Sequence, residues 1–236
     1  MALAGSAALA MWWEIAPAVR ADFEHWHAHE HFPERLAIPG FLRASRWRSA
    51  DGGDGVFVLY ELTDHGVLHS PAYVARLNAP SAWSTRLMPH HRHMRRTQCR
   101  VLESRGGLTA RSLLTVRLSP AEGREADLRR GLGGLVDAVP SRAGLSGLHV
   151  LKHEPPAMDA TTEQGLRSHA DAGADWILIA SGDDRAAVDA LAEGDLSEAA
   201  LVAMGAAAGT ARQSFDLAYA AIPADVAGIT ATESAP

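Results

Sequence analysis

Apolar and polar residues alternate with a period of two in eight separate stretches of the chain. They are "AMWWEIAP" (10–17), "FLRASRWRS" (41–49), "VFVLYEL" (56–62), "RTQCRVLES" (96–104), "LLTVRLSP" (113–120), "GLHVLKHEP" (147–155), "DWILIASGDD" (175–184) and "RQSFDLAYAAI" (212–222). A period of two is the signature of strands with one face buried. Between them lie stretches of helical period: about 18–31, about 70–88 with a bend at "NAPSAW", "EADLRRGLGGLVDAV" (125–139) and "RAAVDALAEGDLSEAALVAMG" (185–205). Pro33 interrupts the first of these before one further turn through Leu36 and the stop at "IPG". "DGGDG" between the second and third strands reads as a hairpin turn.

The element order is therefore β-α-β-β-α-β, the ferredoxin-like unit, and it occurs twice. The copies share pattern rather than residues, and "EPPAMDATTEQGLRSHADAGAD" (154–175) replaces the short first hairpin. An open four-stranded sheet with helices on one face leaves the other face bare. Two such sheets packed together remedy this. The expected fold is α+β, with modules at about 10–105 and 108–223 forming one barrel of antiparallel sheets, and an unstructured small-residue tail at 224–236.

The segments "WHAHEHFPERLAIPGF", "FVLYEL" and "SPAYVARLNAPSAWSTRLMPHHR" resemble the dimeric α/β barrel superfamily, and within it EthD-like proteins, over residues 11–104. The resemblance implies a barrel built within one chain. It also implies a first helix that ends in an aromatic residue, a histidine and a proline, here Trp26, His31 and Pro33, with one residue more between the last two than the pattern has. It leaves the reaction open, because this superfamily hosts cofactor-free oxygenases, isomerases, cyclases, dehydratases, decarboxylases and haem enzymes.

The run "HWHAHEHFPER" carries four histidines. At about 100° per residue, His25 and His29 share one face, while His27 and His31 lie about 200° to 240° from His25. Val19, Phe23, Trp26 and Glu30 fall in an apolar arc flanked by His27 and His31, so His25 and His29 are expected in solvent. A carboxylate in such an arc needs a partner. Glu30 is either a structural hydrogen-bond or ion-pair acceptor, for instance from Arg35 or an arginine of "RASRWR", or the tuning partner of an imidazole. His27, Glu30 and His31 also spell H-x-x-E-H, a zinc-protease motif, but no third ligand follows and no metal is expected.

His31 is the expected general acid–base, Glu30 its partner and Tyr60 the donor to a substrate oxygen in the barrel. Trp26, His27, Trp83 and whichever of Arg43 and Arg46 points inward are expected to bind substrate; the two arginines have opposite parity on their strand. Against these stand simpler roles: a capping histidine, a core tyrosine, a solvated arginine, and tryptophans (Trp47, Trp83) that pack the core. His90, His91 and His93 in "HHRHMRR" could supply a haem ligand or form an exposed turn. The second half has no histidine or glutamate in the matching helix, so chemistry is expected in the first half. His149 and His153 share a parity in a later strand, with no carboxylate near them in sequence.

Composition narrows the field without choosing within it. The chain has 236 residues, a formal charge of −6 and a pI near 6.0, which gives no sign of nucleic-acid binding. The single cysteine, Cys99, excludes an intrachain disulfide and lies in a strand pattern, as a buried thiol does. The apolar opening lacks the basic residues of a secretory signal, and no apolar run is long enough to span a membrane, so a cytoplasmic location is expected. The expected function is a cofactor-independent lyase, dehydratase or isomerase acting on a small, largely apolar carbonyl or aromatic compound in the barrel cavity. A haem enzyme, a cofactor-free monooxygenase and a non-catalytic binding protein with a filled barrel are the alternatives. A homodimer through free strand edges is the expected assembly.

Overall fold

The computed structural model describes residues 3–155, 161–166 and 175–228. All eight alternating stretches form strands: β1 (Ala7–Glu14), β2 (Phe41–Ser49), β3 (Gly55–Leu62), β4 (Arg92–Gly106), β5 (Ser112–Leu118), β6 (Leu145–His153), β7 (Trp176–Gly182) and β8 (Ala211–Ala221). They follow one another as β1-β3-β2-β8-β5-β7-β6-β4 in a closed barrel. Every pairing is antiparallel. The first four strands are ordered β4-β1-β3-β2 and the last four β8-β5-β7-β6, the same ferredoxin-like order twice. β2 pairs with β8 and β4 with β6, which joins the two sheets. The strand β4 can do this because it is 15 residues long, pairing with β1 over its first part and with β6 over its second.

Closure leaves no unpaired strand edge among the described strands. The free edges on which the expectation of a homodimer rested are therefore absent.

Helices α1 (Pro17–Trp26), α2 (Phe32–Leu36), α3 (Pro71–Leu77) and α4 (Ala82–Leu87) belong to the first half. Of these, α1 to α3 bury Phe23, Trp26, Phe32, Leu36, Tyr73 and Leu77 against the outer face of the first sheet, where Trp13, Ile15, Val58 and Tyr60 point. Helices α5 (Glu125–Ala138), α7 (Arg185–Glu193) and α8 (Glu198–Met204) cover the second sheet in the same way. The long insertion contributes a short helix, α6 (Thr162–Leu166); its residues 156–160 and 167–174 lie outside the described residues. A final turn, α9 (Pro223–Val226), buries Val226, so ordered structure continues past the point where an unstructured tail was expected; residues 229–236 lie outside the described residues.

The other parity of the strands fills the barrel. Trp12, Trp47, Phe57, Leu59, Ile179 and Phe215 form its centre and are buried. The expected ligand cavity inside the barrel is thus replaced by a packed core. The bulky residues needed to close two sheets at a tight radius leave no room there. Cys99 belongs to this core, and burial pushes its thiol well above the ordinary value, as befits an inert structural cysteine.

One end of the barrel is sealed by polar contacts with residues 3 and 4. Glu61 points inward, takes two hydrogen bonds from Arg43 (2.5 and 2.7 Å) and accepts a third from the Ala4 amide at 2.6 Å. Leu3 N–H donates to Ser104 Oγ, which lies 2.8 Å from His149 Nδ1. Gly147 is obligatory beside this histidine, because a Cβ there would sit 2.3 Å from the Gly107 carbonyl oxygen. Burial pushes the His149 imidazole down to about 4. In the folded state it therefore stays neutral where the unfolded chain, with an ordinary value near 6.5, takes up a proton. Its contribution to stability is complete above about pH 6.5 and is lost as pH falls toward 4. Urea unfolding at pH 7 and pH 4.5 is expected to differ by about 2 kcal/mol from this group, and His149→Gln should flatten that part of the pH dependence.

Candidate active site

Three of the four histidines of the run lie in one π-helical turn, His27–His31, inserted between α1 and α2, while His25 belongs to the end of α1. Its cause is Pro33. A proline ring inside an α-helix collides with the carbonyl four residues earlier, here that of His29, and supplies no N–H to it. Widening the preceding turn relieves the collision, and the Phe32 amide then donates to the His27 carbonyl five residues back. The helix continues to Leu36 rather than breaking. The wide turn also alters the spacing of the faces after His27. His27 and His31 come to lie on one buried side with their rings stacked at 5.3 Å, while His25 and His29 stack at 4.3 Å on the exposed side.

His27 and His31 sit in an aromatic nest between the first sheet and its helices. The His31 ring lies 4.5 Å from Trp26, and the His27 ring 4.3 Å from Phe32 and 5.1 Å from Phe23. Across the nest, Trp13 of β1 stacks on His91 at 4.8 Å. Phe32 continues to Tyr60 of β3 (5.4 Å) and Tyr219 of β8 (5.7 Å). Arg46 of β2 lies over both Phe23 and Tyr219, at 5.7 and 5.8 Å, and donates to the Glu24 carbonyl at 3.0 Å.

Polar atoms in this layer are buried without a hydrogen-bond partner among the described residues. They include His27 Nδ1, Tyr60 Oη, Arg46 Nε, Trp13 Nε1 and Arg35 Nη1. Buried polar groups are normally paired, and each one left unpaired costs about 1–3 kcal/mol. Burial, with the charge of Arg46 next in weight, lowers the His27 imidazole well below its ordinary value, so it is neutral at pH 7. Burial also raises the Tyr60 hydroxyl, which stays protonated, and pushes Arg46 down to about 10, where it is still a cation. The layer thus offers a cation, a phenol donor and a neutral imidazole, all in apolar surroundings.

The second half completes the layer. Tyr219 comes from β8, and α6 of the insertion brings Glu163 to Arg35. Arg35 Nη2 contacts both Glu163 oxygens, at 2.5 and 2.7 Å, with both side chains nearly inaccessible. Burial alone would weaken the charge on Arg35, and the Glu163 carboxylate more than offsets it. Leu166 of α6 packs on the border of the same core.

Other expected site residues are placed differently from the expectation. Glu30 is half-buried at the edge of the nest and accepts from Trp26 Nε1 at 2.9 Å and from Ser81 and Ser84 of the α4 N-terminus. This is the structural role, with neither Arg35 nor a β2 arginine as donor. Tyr60 faces the helices rather than the barrel interior, because Glu61 takes the inward parity. Arg43 is the inward arginine, but its charge is taken by Glu61. Trp83 lies at the border of the core with its indole N–H on Asp22 and its ring 5.3 Å from exposed His25, outside the nest. In "HHRHMRR", His90 and His93 are exposed as an open turn requires, but His91 is buried in the nest. Nothing in its polar neighbours signals this; its place follows from the 3₁₀ turn that precedes β4. A haem held by His91 would have to displace the Trp13 indole stacked on it, so His91 as placed does not fit that group. Among the described residues, no group of three or more His, Cys, Asp or Glu converges as a metal site. None of their helices is long and apolar enough to cross a membrane.

No known family profile matches the sequence, and neither does any curated protein. Similar solved structures do exist. An anthrone oxidase-like protein superposes with a TM-score of 0.65 at 12% identity, over 94% of this chain and 95% of the other. A candidate monooxygenase from Fusobacterium nucleatum gives 0.61 at 7% identity, over 92% and 94%. One from Lactobacillus acidophilus gives 0.59 at 8% identity, over 92% and 97%. The fold is that of the dimeric α/β barrel proteins. At such identities the likeness extends to architecture alone. Within this fold the nest occupies the space between the first sheet and its helices.

Proposed function

We propose that the chain is an enzyme that removes and returns a proton on a small, largely apolar aromatic or enolisable carbonyl compound bound in this nest. The observation that carries the reading is that one aromatic layer buries several unpaired polar atoms, His27 Nδ1, Tyr60 Oη and Arg46 Nε. A flat substrate with an acidic C–H or O–H would satisfy them. His31 takes the proton. Arg46 and Tyr60 hold the oxygen on which negative charge develops, where a low dielectric makes such contacts strong. His27, kept neutral by burial and by the charge of Arg46, orients the substrate by a hydrogen bond. Glu30 positions the Trp26 indole, on which His31 rests, and so acts through it.

The anion formed has two fates. It can be reprotonated at another atom or expel a leaving group, as in an isomerase or lyase. Alternatively it can meet molecular oxygen, which the names of the similar structures favour. Anthrone separates the two: with one O₂ it gives anthraquinone and one water, whereas proton removal and return alone places deuterium at its methylene carbon. We expect the protein to accelerate deuterium exchange from D₂O into anthrone or a simpler enolisable aryl ketone. Oxygen uptake measured in the same experiment assigns the fate. Exchange and uptake both at the buffer rate across such compounds would remove the proposal.

A further inference from the structure

The end of the barrel opposite residues 3 and 4 is open. Two adjoining cavities of about 330 Å³ each lie there, and Arg95 and Arg117 line both. In the first cavity these arginines are the only charged lining residues among the described ones; the rest is Leu118, Ser119 and small residues at 207–209 and 211. Arg117 is half-buried, with its guanidinium carbon 5.3 Å from the Trp12 ring, whose indole N–H donates to Thr115 at 3.2 Å. Arg95 sits opposite Trp12 in the β1–β4 register.

Neither arginine has a carboxylate partner among the described residues. The carboxylates of the second cavity are engaged elsewhere. Asp54 pairs with Arg92 (2.7 Å) and Arg20 (3.7 Å), and Glu14 with Arg92 (3.7 Å). Asp51 is exposed and takes hydrogen bonds from Ser49 Oγ and the Gly53 amide within its own turn. Two cations lining one concave site repel each other, and an anion between them would offset that repulsion. Burial and the nearby Arg95 both weigh against the charge on Arg117. An anion would offset both.

We propose that the open barrel mouth binds a small carboxylate or phosphate between Arg95 and Arg117, on a floor formed by Trp12. The first cavity shares no lining residue with the nest; the second is lined by Trp12 and also by Trp13, whose ring packs in the nest on the other face of β1.

Titration calorimetry with sodium phosphate and with sodium benzoate, at constant chloride, tests it on the whole chain. The native protein should bind at least one of the two anions saturably, and which one it binds names the ligand class. Arg95→Gln and Arg117→Gln should each weaken that binding about tenfold or more, and the double variant should abolish it. Arg105→Gln, an exposed arginine paired with Asp137 outside the mouth, should leave it unchanged. If Arg117→Gln does not fold, exposed Arg95 still supplies the test. Absence of saturable binding to both anions, or equal binding by native and Arg95→Gln proteins, would overturn the proposal.

Discussion

His31→Gln is expected to lose about 10²–10⁴ in turnover, the share of rate that a positioned general acid–base supplies. Its fold should survive. The ring rests against Trp26 and His27 and is 7% exposed, so a side chain of similar reach costs about 1–3 kcal/mol. Phe23→Ala, in the same layer but purely packed, should cost about 3–5 kcal/mol. His25→Ala and His29→Ala remove exposed rings and should change stability by about 0.5 kcal/mol or less, with turnover unaffected. The pH profile of kcat/KM distinguishes lost chemistry from lost structure, because the variant should lose the limb that reports the base. Normal turnover in His31→Gln with an inactive His25→Ala would place the chemistry on the other side of the helix.

Glu163→Gln is expected to destabilise the chain by about 3–5 kcal/mol, because it leaves Arg35 charged, buried and uncompensated. For a protein of this size that lowers Tm by about 6–20 °C. Replacing both partners, as Arg35→Met with Glu163→Gln, should recover most of the loss, since no unpaired charge then remains in the layer. Urea unfolding of the single and the double variant checks this. A single variant within about 0.5 kcal/mol of native would mean that the insertion does not hold Arg35 as described.

The strands and their order were legible because alternation is a local property, and a repeated β-α-β-β-α-β order has few ways to bury both sheets. The exposed and buried histidine pairs were also readable from the helical period. What the period could not give was the π-turn, which arises from a collision between Pro33 and a carbonyl of the preceding turn. That turn carries Glu30 to the edge of the nest. The expected cavity was misplaced for a different reason. Parity assigns residues to two faces of a strand but does not say which face meets helices, so Tyr60 and Glu61 were interchangeable until the sheet closed. Glu163 was invisible as a site residue, and His91 was readable only as one of three histidines that could ligate a haem, because both reach the layer through tertiary contacts across long sequence separations.

The most direct test of where chemistry occurs is a crystal structure of the chain with a flat phenolic ligand, such as a hydroxyanthraquinone. The ligand is expected between the first sheet and α1–α2, with its oxygens on Arg46 and Tyr60 and its ring against Phe32. Ligand density confined to the barrel mouth, against Trp12 and Arg117, with the nest unchanged, would contradict the assignment.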